Sequence, residues 1–226
     1  MSLELHKVII VSALSLQGMI IGYGLKHKVI PLILKQYELT LYLKHWKYPF
    51  FEGVTLLCSL LIILNDAASS FARLAIGIFV FGSLVLAFID AEHLILPDLI
   101  VKPLWVLGFC INSQTSAFVE LPSALICSGL VYIFFRTFVE IYYQFTGTLG
   151  LGRGDIKLLS VYGVWFGCKG VLAILWVASW MGLIWSTTKV FLKKQNYSTR
   201  IPFGPFLVFG ALCYLFYPQA FSTILL

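Results

Sequence analysis

The chain has 226 residues, of which 60% are apolar and only 12% are charged, about half the charged share of an ordinary soluble domain. So few charges cannot cover a globule of this size, which excludes a disordered chain, a disulfide scaffold, a coiled coil and an ordinary cytosolic enzyme. The net charge of +6 sits in short basic stretches between apolar runs, the pattern of loops retained on the cytoplasmic side of a membrane rather than of a nucleic-acid surface.

Residues 8–25 are uncharged and predict a first span, close to the roughly 20 residues a bilayer needs. No small-residue cleavage site follows, so the span reads as an uncleaved anchor. Residues 26–47 carry Lys26, Lys28, Lys35, Lys44 and Lys47 against Glu38 alone and predict a cytoplasmic loop. A second span runs over 48–64, and a third, 74–89, stops at Asp90. The acidic segment 90–98 is expected inside. Residues 99–111 re-enter the membrane, 112–120 form an outer loop, and 121–145 return.

Residues 146–155 read T-G-T-L-G-L-G-R-G-D, a glycine-rich inner turn. Residues 156–167 are expected to cross outward and 170–188 to come back, followed by Lys189, Lys193, Lys194 and Arg200 on the inside. Residues 201–226 make a last uncharged span. The reading is an all-α polytopic integral membrane protein with about eight transmembrane helices. Residues 1–52 would hold the first helix and a short basic loop, and 53–226 the main helical core. Ten basic residues fall in or beside predicted inner loops, against Lys7, Arg73 and Lys169 outside, which supports the orientation.

Five cysteines are spaced no closer than 17 residues. This leaves no zinc-ligand spacing, and they read as small apolar side chains in helices.

An ionisable group at membrane depth costs several kcal/mol and usually marks function. Asp90 ends one uncharged run and Asp155 begins another, 65 residues on, and the topology brings both to the cytoplasmic edge. Two adjacent carboxylates cannot both ionise cheaply and tend to share one proton, which supplies an acid and a base together. Each acid taken alone is also explained as an interfacial group in contact with water. Gly150, Gly152 and Gly154 alternate before Asp155 and would permit positive φ or a close approach, for example by an extended substrate strand. The same acids would also serve an ion- or proton-coupled transporter.

Four ordered blocks resemble one family. Phe88–Asp98, F-I-D-A-E-H-L-I-L-P-D, resembles the I-D-x-x-H-x-x-L-P-D block of type IV prepilin peptidases. Gly150–Leu159, G-L-G-R-G-D-I-K-L-L, resembles their G-x-G-D element. Ile201–Phe206, I-P-F-G-P-F, is similar to the start of their final helix, and Lys47–Glu52, K-Y-P-F-F-E, to the entry of their second span. The resemblance implies a GxGD-type aspartic endopeptidase of the bacterial inner membrane, multi-pass, with its active site facing the cytoplasm. Such enzymes cut the short basic leader from prepilins or type II secretion pseudopilins. It assigns catalysis to Asp90 and Asp155, and a presenilin-like protease that cuts within membrane spans shares the same idea. Residues 26–47 contain no cysteine, whereas many members carry two C-x-x-C pairs there and also methylate the product. The resemblance therefore carries the peptidase, needing no cofactor and no metal, with S-adenosylmethionine required only if methyl transfer persists.

Supporting roles fall to neighbours. Glu92 and Asp98 would attract a basic leader or simply be solvated. His93 is expected to bond a backbone carbonyl. Lys157 would hold the turn, act on an acid, or snorkel. Gly152 and Gly154 would shape the turn. Pro97 and Pro205 are expected to set helix starts, and Arg136 and Glu140 to form an i,i+4 pair. The partners are the pilin-type substrate and membrane lipid, with no nucleic acid; the sequence leaves the oligomeric state open.

Overall fold

The computed structural model describes residues 70–115, 118–193 and 201–222, with single positions 35, 53, 54 and 57. The first two expected spans, the basic segment 26–47 and the K-Y-P-F-F-E block lie outside these runs. The chain divides into two compact units, Met1–Val85 and Leu86–Leu226; the helix Ser70–His93 runs across their boundary, and the site described below belongs to the second. All regular structure among the described residues is helical: α1 (Ser70–His93), α2 (Asp98–Thr115), α3 (Leu121–Thr146), α4 (Arg153–Lys193), α5 (Gly204–Phe216) and α6 (Pro218–Ser222). Three stretches, Arg73–His93, Leu121–Thr146 and Arg153–Lys189, are long and apolar enough to cross a membrane.

The helix boundaries follow local chemistry. α1 closes at Leu94, whose φ of 56° is left-handed while its N–H donates to the Asp90 carbonyl at 2.9 Å, a common way to end a helix. Pro97 then starts α2: its carbonyl accepts from the N–H groups of Ile100 and Val101, and Asp98 places an anion at the positive end of the helix. The expected short segment 99–111 is thus a helix of 18 residues. α3 opens with Pro122 in its first turn and ends at Gly147, φ 66°, whose N–H donates to Tyr143.

α3 buries little of itself, namely Ala124, Cys127, Ser128 and Val139, leaving a broad apolar face of the kind lipid covers. At its buried stripe the contact with α4 is backbone-close. A Cβ on Gly163 would lie 2.8 Å from Ser128 Cα. Ser128 Oγ meets Ser160 Oγ at 2.8 Å, and Trp105 Nε1 donates to Ser128 Oγ at 2.9 Å. Small residues bring helices together this way in membranes. Trp165 is wholly buried against Gly108 and donates Nε1–H to the Leu104 carbonyl at 2.9 Å.

α4 is 41 residues long but breaks at Gly167, φ 66° and ψ −175°, so 156–167 and 170–188 are joined by one glycine rather than a loop. A Cβ on Gly170 would collide with Phe166 Cβ, atoms that a regular helix keeps about 5–6 Å apart. In a continuous helix the Val164 carbonyl would face the N–H four residues on, across this break; here Asn112 Nδ2 donates to it at 2.7 Å. Asn112 Oδ1 in turn accepts from the Phe118 N–H at 3.3 Å.

The cysteines depart from the apolar reading. Cys127 of α3 and Cys168, just past the break, form a disulfide with Cα atoms 5.4 Å apart, while Cys110 and Cys213 are free. Spacing hides the pair because α3 and α4 bring together positions 41 apart.

α5 packs along the second part of α4. Phe206 meets Trp185, Gly210 lies against the Ile174 carbonyl and Tyr214 meets Phe166. The two segments are therefore antiparallel, with Tyr214 near the break and Gly204 at the opposite end. Asp155 precedes Gly167 by 12 residues, and Gly204 precedes Tyr214 by ten. These are about 18 Å and about 15 Å of helix; Gly154 lies against Leu96 and Gly204 against Asp90, so Asp155 and Gly204 both meet the C-terminal end of α1.

Candidate active site

Asp90 lies in the last turn of α1 and Asp155 in the first turn of α4. They are 5% and 8% exposed, too buried for interfacial solvation to account for them. Gly204 packs on Asp90, and Gly154, next to Asp155, packs on Leu96 just after α1, so two acids far apart in sequence come to one end of the helical unit.

Their surroundings differ. Asp90 Oδ2 accepts the Gly204 backbone N–H at 2.9 Å. Asp155 Oδ1 is buried with no hydrogen-bond partner among the described residues. Both flanking glycines are needed for space rather than for positive φ, which the structure gives to neither Gly152 nor Gly154, nor to Gly150. A Cβ on Gly152 would lie 2.7 Å from Asp155 Oδ2, and one on Gly154 would lie 3.0 Å from Leu96 Cβ. Gly154 thus lets the L-I-L-P-D connection lie against the start of α4.

Lys157 turns to that same connection. Its Nζ donates to both Asp98 oxygens, at 2.7 and 2.9 Å, and Lys102 adds a longer contact of 3.7 Å. The Lys157 hydrogen bond, more than the charges around it, holds the Asp98 carboxyl below its ordinary range. Asp98 is therefore spent within the fold, tying α2 to α4. Glu92 is half-buried at the end of α1. His93 bonds no carbonyl through Nε2, which is buried without a partner among the described residues. Arg136 reaches back to the Tyr132 hydroxyl at 3.4 Å, and no ion pair with Glu140 forms; both line an open cleft of about 420 Å³ with Gln144 and Arg153. Among the described residues no three His, Cys, Asp or Glu side chains are grouped to hold a metal.

Gly204 is the site residue that side-chain reasoning misses. Its signal is a glycine wedged between Phe203 and Pro205 at a helix start, in a block read only as a helix boundary.

Residues 77–187 match the type IV leader peptidase family. A prepilin leader peptidase/N-methyltransferase of Xanthomonas campestris pv. campestris is 32% identical over 173 residues, covering 76% of this chain and 59% of the relative. One from Pseudomonas aeruginosa is 31% identical over 180 residues, covering 79% and 61%. One from Stutzerimonas stutzeri is 35% identical over 126 residues, covering 56% and 43%. The chain thus spans about three fifths of the first two relatives. No solved structure matches. The matched stretch, just under half of the chain, contains Asp90, Asp98, Gly152, Gly154, Asp155 and Lys157, and through it the chain is similar to the type IV leader peptidase family.

Proposed function

We propose that this protein is a membrane aspartic endopeptidase that removes the short basic leader of prepilins or pseudopilins at the cytoplasmic face of the bacterial inner membrane, with Asp90 and Asp155 as its catalytic pair. The observation that carries the reading is the burial of these two acids at one end of the helical unit, where Gly204 packs on Asp90 and Gly154 on Leu96.

In the mechanism, one carboxyl is ionised and the other protonated. The ionised member takes a proton from water as the water oxygen bonds to the scissile carbonyl carbon. The protonated member gives its proton to the carbonyl oxygen, and a neutral diol forms. On collapse the C–N bond breaks, the first acid passes its proton to the departing amine, and the second recovers one from a diol hydroxyl. One water is consumed and both acids return to their starting state. Positioned proton transfer of this kind contributes about 10²–10⁴-fold.

Glu92 supplies negative charge beside the site that would draw in a basic leader. The relatives' printed name adds N-methyltransferase. Residues 26–47 hold no cysteine and lie outside the described runs, so the reading stops at the peptidase.

The test is mass spectrometry of a candidate prepilin incubated with the purified membrane protein and S-adenosylmethionine, which reads the cut site and any added methyl group together. Asp90→Asn and Asp155→Asn are each expected to lower cleavage at least about a hundredfold while the protein still accumulates in membranes. Wild-type cleavage by either variant would overturn the pair.

A further inference from the structure

Helix α5 accounts for its first four backbone N–H positions in an unusual way. Pro205 has no N–H, and those of Phe206 and Leu207 both donate to the Phe203 carbonyl at 3.1 Å. The Gly204 N–H has no acceptor within its own helix, and it donates instead to Asp90, 114 residues away. The fit leaves no room for a side chain. A Cβ at position 204 would lie 2.7 Å from Asp90 Oδ2, 2.9 Å from Cγ and 3.1 Å from Cβ.

We infer that Gly204 is a positioning residue of the peptidase: its backbone N–H holds the Asp90 carboxylate as the member that takes the proton from water, leaving Asp155 as the member that gives one to the substrate carbonyl. The inference rests on the catalytic pair proposed above. A backbone donor at a helix N-terminus stabilises an anion more than a neutral acid. Asp155 also has a backbone donor beside it, the Gly152 N–H, but its Oδ1 is buried with no hydrogen-bond partner among the described residues. An ionised oxygen there would be an uncompensated buried charge, whereas a protonated one becomes a donor whose acceptor arrives with the substrate. Pairs of carboxyls whose surroundings differ in this way divide the acid and base roles. Gly204 touches neither water nor substrate in this scheme and acts only through Asp90.

The test uses the full chain purified in detergent, with a synthetic prepilin peptide spanning the cut. Glycolic acid in place of Gly204 converts its amide to an ester and deletes the donor without adding an atom. The expected result is a kcat about tenfold or more below wild type per folded molecule, with KM within about twofold. A wild-type kcat in the ester variant overturns the inference, and so does a rise in KM with kcat unchanged. Gly204→Ala pushes directly on the Asp90 carboxylate and should lower kcat further; if it does not accumulate, the ester variant alone decides. Asp90→Asn and Asp155→Asn run in parallel. If they abolish cleavage while the ester variant keeps wild-type kcat, only the Gly204 role falls; if they cleave normally, the catalytic pair falls with it.

Discussion

Asp98 and Asp155 both lie in motif blocks, yet their surroundings give them different work. Asp98 meets Lys157 through both oxygens, and the pair is partly exposed, at 36% and 41% of the side chains, so its stabilisation stays within about 1 kcal/mol. Because its folded pKa lies below the unfolded one, that stabilisation is fully present above the ordinary aspartate value. It is lost as pH falls through the folded value. Asp98→Asn is therefore expected to lower the unfolding temperature modestly near neutral pH, with the difference from wild type closing in strong acid. Thermal unfolding in detergent across that range measures it, and a difference that widens in acid would contradict the assignment.

The two catalytic candidates were legible in the sequence because an acid at the end of an uncharged run needs a reason to be there. The Lys157–Asp98 pair was not legible, since 59 residues separate its members and the sequence offered Lys157 only a hold on its own turn, an effect on one of the catalytic candidates, or snorkelling. Gly204 was hidden for a plainer reason: a main-chain donor carries no side-chain chemistry for a sequence pattern to show.

At the scale of elements, the apolar runs located the helices, and chain breakers located several of their ends. Pro97 precedes α2 and Pro205 lies in the first turn of α5, as expected. Reversals without a loop were harder to see, because the break at Gly167 uses one residue and the hydropathy on either side stays high. Asn112, expected in an outer loop, is instead 1% exposed and reaches the carbonyl beside that break. The disulfide was invisible for the same reason as the break, since both depend on how α3 lies against α4. Thiol labelling of the denatured protein with a maleimide, read by mass spectrometry, is expected to modify Cys110 and Cys213 without reduction. Cys127 and Cys168 should be modified only after reduction. Labelling of all four without a reductant would remove the cross-link from the account.

For the whole molecule, composition alone selected a membrane protein built of helices, and the described residues contain three stretches able to span. The expected number of about eight rests on length arithmetic, and two of those spans lie outside the described residues. What composition could not supply is register. The antiparallel run of α5 along α4, fixed by Trp185, Ile174 and Phe166 against Phe206, Gly210 and Tyr214, is what returns the I-P-F-G-P-F block to the end where Asp155 lies.

The hydrogen bond from Gly204 to Asp90 also sets an order of events during biosynthesis. A ribosome delivers both acids to the membrane well before it has made the segment that orients the first of them. A chain halted after residue 200 keeps every residue of the family match yet is expected to cleave no substrate in a membrane assay; full activity from it would contradict this ordering. On the proposed reading the nascent chain would stay inert until the segment after residue 200 inserts, and translation itself would act as the safety catch.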